Sequence, residues 1–142
     1  MSTYAFTAEG EPTSQGSMSA FEDRRGKIRV VHQKSAKLSA WRNAIRAAAI
    51  DAGIQPAPTG TPVTIDIRFM MPRPKRPEYS YPQLDLDKLA RAVLDALSPP
   101  RRGMEVLPPG CAWADDSQVA HVTASKEYAT SILHGADVQI WW

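Results

Sequence analysis

Residues Val63 to Met71 alternate without a break. Val63, Ile65, Ile67, Phe69 and Met71 fall on one parity, and Thr64, Asp66, Arg68 and Met70 on the other. Side chains of a strand point to opposite faces with period two, so this segment buries its apolar set only as a β-strand in one register. A strand apolar on one face belongs in a sheet covered on one side, and antiparallel pairing is expected for it. Pro72 stops the strand, because proline has no N–H for the ladder.

Around this strand the apolar period changes. Leu38, Trp41, Ile45, Ala48 and Ala52 recur at helical spacing after Ser35, Arg42 and Arg46 fall off that face, and Gly53 can close the helix. Leu86, Leu89, Ala90, Val93, Ala96 and Leu97 cover one side of a second helix over 87–97, ended by Pro99 and Pro100. Tyr4, Phe6 and Ala8 share a parity in an N-terminal strand over 3–8, and 27–32 reads as a short strand. Segments 119–128 and 137–142 read as closing strands. The stretches 9–26, 72–84 and 99–114, rich in Gly, Pro and polar residues, are expected to be loops. The resulting order, β-β-α-β-α-β-β, predicts a single α+β domain over residues 1–142, with a mainly antiparallel or mixed sheet and two principal helices.

Bulk properties narrow the function. The chain has 142 residues, 43% hydrophobic and 23% charged, enough for one packed core. No apolar run is long enough to cross a bilayer and the N-terminus lacks the regions of a signal peptide, so a cytoplasmic protein without a membrane partner is expected. The single cysteine, Cys111, excludes an internal disulfide framework and a thiolate metal site. No Gly-rich phosphate loop, and hence no nucleotide cofactor, is legible, and no serine carries a nucleophile-elbow pattern. His32, His121 and His134 lack ligand spacing.

The net charge is only +2, but the cations cluster. Arg24, Arg25, Lys27 and Arg29 form one group, Arg73, Lys75 and Arg76 a second, and Arg101 with Arg102 a third. Such clusters are commonly solvated loops. Placed around a group of carboxylates, they are candidates for phosphate contact in DNA.

The carboxylates in question are Asp85 and Asp87 at the mouth of the second helix and Asp115–Asp116 before a strand. In an extended segment Asp85 and Asp87 point the same way. With a third acid from another element they form an oxygen-only ligand set, the kind that holds Mg²⁺ with waters and substrate phosphate. Such an ion can activate water and neutralise charge on a phosphodiester. The same residues also read more plainly, Asp85-x-Asp87 as a helix cap and Asp115–Asp116 as a turn. Asp95, one turn beyond Arg91, is explained by an i,i+4 pair on the helix surface. Two cations compete for a catalytic role. Arg91 lies one turn beyond Asp87, and Lys126 shares the parity of Ala120, Val122 and Ala124, an apolar face where a lysine needs a compensating partner.

LDLDKLARAVLDALSPP followed by ADDSQVAHVTASKEY resembles the core of the RusA family of Holliday junction resolvases. That pattern is an Asp-x-Asp opening a helix, a Leu-Asp-Ala-Leu ending to it, and an Asp-Asp leading into a strand that carries a lysine. More loosely, the likeness extends over most of the chain. It implies a Mg²⁺-dependent crossover junction endodeoxyribonuclease, with Mn²⁺ able to substitute, that acts as a homodimer on branched DNA in recombination and repair. It also implies a bacterial or phage-encoded source. Carried over by position, Asp85, Asp87 and Asp116 match the metal-binding acids, with Asp115 accessory. Lys88 stands where the family often has Asn, Arg91 where its best-known members have Lys, and the 99–114 loop is longer. Two other readings compete: a branched-DNA-binding protein that does not cut, and a small structural protein whose Asp-x-Asp is only a cap.

Overall fold

The computed structural model describes residues 1–16, 18–22, 26, 28–32 and 35–142, and for 18–22, 28–32 and 35 it describes the backbone. The chain runs β1 (Thr3–Glu9), β2 (Met18–Glu22), β3 (Ile28–His32), α1 (Ser35–Asp51), β4 (Val63–Met71), α2 (Leu86–Leu97), a 3-10 turn (Asp116–Gln118), β5 (Val119–Tyr128) and β6 (Gly135–Trp141). Four strands form one sheet in the order β1-β6-β4-β5, and β2 and β3 form a separate antiparallel pair. The fold is α+β with a mixed sheet, as its pattern predicts.

Two expectations are corrected. β2 occupies part of the 9–26 segment expected to be a loop, because five residues among Gly, Ser and Pro show no alternation. β4 is antiparallel only to β6; its other neighbour, β5, runs parallel to it. The reason is the connection. α2 lies between β4 and β5 in the chain, and a helical crossover returns the chain to the same end of the sheet. The segments 72–84 and 99–114 contain no regular element.

Side-chain parity builds the core. On β4, Val63, Ile65, Ile67 and Phe69 are 0% exposed, whereas Asp66 and Arg68 face the other way. Register continues the inward face across the sheet, in rows such as Phe6–Val138–Ile67–Ala124 and Ala8–Ala136–Phe69–Lys126. Leu38, Trp41, Ile45 and Ala49 of α1 and Leu89, Ala92, Val93, Ala96 and Leu97 of α2 cover this face. Gly53 ends α1 with φ +72, a conformation glycine adopts without strain, and its N–H donates to the Ile50 carbonyl. On the open face the partners are polar: Thr7 donates to Asp137, and Arg68 pairs with Glu127. Among the described residues no helix is long and apolar enough to cross a membrane.

Candidate active site

Asp85 and Asp87 stand at the head of α2. Asp85 is the N-cap residue, with extended backbone, and its carbonyl accepts the first helical bond from the Leu89 N–H. Its carboxylate makes no cap hydrogen bond and lies 3.4 Å from the Lys88 ammonium, with 62% of the Asp85 side chain exposed. So the plain reading as a side-chain cap fails. A cap uses its oxygen on the N2 or N3 amide, and this carboxylate is left on the surface. A solvent-screened pair of this kind contributes little, so Asp85 is open to other cations. Asp87 is exposed too, but it lies in the first turn of α2 and not in an extended segment, so the shared direction expected from strand parity does not apply.

Lys126 is tied to the same place from the sheet. It lies beside Phe69 on the helix-covered face of β5, where an ammonium needs a partner. The edge position lets the side chain climb out, and Nζ donates at 2.7 Å to the carbonyl of Leu84, the residue before Asp85. The lysine thus holds the start of α2 against the sheet.

Asp115 and Asp116 sit at the far side of α2, and the turn separates their roles. Asp115 is an N-cap: its carboxylate accepts from the Ser117 N–H at 2.9 Å. Hydrogen bonds from Ser117 hold its carboxyl below the ordinary range, with Arg102 adding attraction. Gln118 reciprocates. Its Oε1 accepts from the Ala114 and Asp115 amides, and its Nε2 donates to the carbonyls of Pro58 and Thr61. This buried glutamine fixes the turn to the β4 side of the fold and leaves the Asp116 carboxylate exposed. For Asp115 the turn reading holds.

Between the turn and the end of α2 lies a cleft of about 310 Å³, lined by Arg42, Arg46, Asp95, Arg101, Arg102, Asp115 and Asp116 among others. Arg42 and Arg46 reach it from α1, one turn apart, and Arg46 Nε donates to the Ala96 carbonyl at 3.3 Å. Arg102 bridges the two acids at 3.6 Å from Asp115 and 3.8 Å from Asp116. Asp95 faces this cleft, so the simple surface pair with Arg91 is corrected. It accepts from Gln15 Nε2, and burial pushes its carboxyl up, opposed by Arg42 and Arg91 and reinforced by Asp116. Arg91 itself is exposed, and its guanidinium rests against Gly16, so a side chain there would make the arginine shift. Gly16, at φ +104, combines that close approach with a backbone a side chain would strain.

Asp85 with Asp87, and Asp115 with Asp116, are therefore two separate pairs. Among the described residues no three acidic, His or Cys side chains are close enough to share an ion. Asp87 and Asp95 are eight residues apart, about 12 Å along a helix, and Asp116 lies toward the Asp95 end. Arg73, Lys75 and Arg76 are exposed on the 72–84 loop that feeds α2, and Arg101 and Arg102 border the cleft. Arg24, Arg25 and Lys27 fall outside the described residues. Cys111 is buried, and burial pushes its thiol up, away from a nucleophile's state. Arg42, Arg46, Asp95 and Gln118 are absent from the expected site. Helical spacing marked the arginines only as outside the core stripe; the Asp115-x-x-Gln118 spacing of a capping box was a local signal for the glutamine, though its bonds to Pro58 and Thr61 some 60 residues away were not.

No curated protein matches the chain significantly. The model of the family "Endodeoxyribonuclease RusA" matches residues 9–140, nearly the whole chain, and the chain belongs to that family.

Proposed function

We propose that this protein is a structure-selective endodeoxyribonuclease that resolves four-way DNA junctions by Mg²⁺-dependent hydrolysis, acting as a homodimer. The observation that carries this reading is the pair of exposed carboxylates at the head of α2, with Asp85 unspent on capping, in a chain of the RusA family.

The donor set fits Mg²⁺ in chemistry. The ion takes oxygen ligands, keeps several waters, and commonly draws only one or two carboxylates from the protein beside the substrate phosphate. Asp85 and Asp87 meet that requirement; Asp116, expected as a third donor, stands with Asp115 and Arg102 near the other end of α2 and is left out of this ligand set. Asp115 is better described as the residue that holds the turn, since Ser117 and Arg102 already engage its oxygens. When bound, the ion would supply a more acidic water and offset charge developing on the phosphodiester. The chain's own residues do the rest. Arg91, exposed one turn beyond Asp87, offers a fixed positive charge to the phosphate oxygens. Lys126 keeps the Asp85–Asp87 segment in place through the Leu84 carbonyl. Arg73, Lys75, Arg76, Arg101 and Arg102 hold the DNA backbone, and such contacts position the substrate without reading its sequence.

The homodimer is proposed on grounds of symmetry. Resolving a four-way junction needs two related cuts on opposed strands, and a two-fold enzyme presents two sites in that relation. The test is incubation with labelled linear, forked and four-way DNA in Mg²⁺. Paired symmetric nicks confined to branched substrates are expected. A band shift without nicks would leave a binding protein, and neither would leave a structural one.

A further inference from the structure

The loop between β4 and α2 carries two tyrosines that the nuclease chemistry does not use. Tyr79 is 46% exposed and Tyr81 is 52% exposed. Their rings lie nearly parallel, 10° apart in plane with centroids 5.3 Å apart. Half of each large ring in water is apolar surface that packing on its neighbour has not covered, on a loop that also carries the exposed Arg73, Lys75 and Arg76. Aromatic faces interleaved with cations are what single nucleobases and their phosphates bind.

The stack is held in place. Pro72, Pro74, Pro77 and Pro82 restrict the loop backbone, and Pro82 is buried. Tyr128 Oη donates to the Tyr81 carbonyl at 3.0 Å, and Gln83 Nε2 donates to Glu78 at 3.2 Å. Lys126 joins the stack to the proposed site: its Nζ lies 5.7 Å from the centre of the Tyr81 ring while it donates to the carbonyl of Leu84, next to Asp85. A preformed surface binds with less ordering cost than a mobile one.

We propose that the Tyr79–Tyr81 stack is a platform for an exposed nucleobase at the branch point, and that it supplies the preference for branched over linear DNA. The inference rests on the nuclease reading and deepens it. In continuous duplex both faces of every base are covered by its neighbours, so the platform has nothing to take. Where strands exchange, the stack can be opened at lower cost than within a continuous duplex, and a protein that opens it exposes a base face. Base–aromatic stacking contributes about 1–3 kcal/mol per base. That is roughly a 5- to 150-fold preference, at 1.4 kcal/mol per tenfold.

The test measures binding in Ca²⁺, apart from cutting, on four-way and linear DNA of equal length. The Tyr79→Ala/Tyr81→Ala protein is expected to lose 10- to 100-fold in affinity for the four-way DNA and less than twofold for the linear one. Tyr79→Phe/Tyr81→Phe should bind both as wild type does, since stacking needs the ring and not the hydroxyl. Irradiating wild-type protein on junctions with 5-iodouracil beside the branch point should give crosslinks on Tyr79 or Tyr81. Unchanged junction affinity in the alanine protein, or an equal loss on both DNAs, overturns the proposal, as do crosslinks confined to other residues. A wild-type protein that binds junctions selectively and never nicks them would sink the nuclease reading and leave the platform standing. Selective nicking with an inert tyrosine pair would do the reverse. Equal melting temperatures of the three proteins exclude a folding defect, because both rings are on the surface.

Discussion

Asp95 is the partly buried acid of the cleft, held there by Gln15. Gln15 Nε2 donates to Asp95, while the buried Gln15 Oε1 has no partner among the described residues. Burial is the main cause of the upward shift at Asp95, since it disfavours the ionised form. An acid whose folded value is raised contributes its stability below its ordinary value of 3.8, and loses it as pH rises through the raised value. Asp95→Asn is therefore expected to raise Tm at pH 7 by roughly 1–3 °C. The gain should vanish by pH 3.5, and thermal melts across that range check both signs. Asp115 has the opposite shift, so its stabilisation is present at neutral pH and is lost as pH falls through its lowered value. For the proposed chemistry, Lys126→Met removes the donor to Leu84 and keeps the apolar stem. It should slow cleavage at least tenfold with near-normal junction binding. Arg91→Lys should retain more activity than Arg91→Ala, since a fixed charge matters more there than the guanidinium fork. Single-turnover rates on saturated junction decide both.

Trp113 shows what a loop can hide. The 99–114 segment reads as irregular and is so, yet Trp113 is fully buried, and its Nε1 donates to Ser98 Oγ, which donates to the Leu94 carbonyl. Ala112 adds a bond from its N–H to the Leu97 carbonyl, so the end of α2 and the Asp115–Asp116 turn are fastened together. Trp113→Ala should cost about 3–5 kcal/mol in urea unfolding, from the cavity it leaves. What was legible and what was not divides along the same line. β4, α1 and α2 announce themselves because one period runs through each, and Asp85 and Asp87 because they open a helix. The parallel β4–β5 pairing, the anchoring of Trp113 and the approach of Arg42 and Arg46 to Asp116 are set by contacts between distant segments, which no local period records. The basic loop is an element with its own test. Replacing Arg73, Lys75 and Arg76 with Ala should flatten the salt dependence of binding by roughly 0.9 in log–log slope per lost phosphate contact on duplex arms. An unchanged slope would make the loop a bystander.

At the scale of the molecule, the sheet ends in two edges, β1 and β5, and the acids fall into two pairs around one helix. Sedimentation equilibrium is expected to give twice the chain mass of 15.6 kDa, and a monomer at micromolar concentration would remove the symmetry argument for paired cuts. The role proposed for the carboxylates at the head of α2 is Mg²⁺-dependent cutting of branched DNA. Single-turnover cleavage of a labelled four-way junction by wild-type and Asp87→Asn protein, with binding measured in parallel in Ca²⁺, addresses it directly. Paired nicks by the wild type in Mg²⁺ are expected, with a rate at least 100-fold lower for Asp87→Asn and binding equal or tighter. Equal cleavage rates for the two proteins, or a wild type that binds the junction and leaves it intact, would contradict that role.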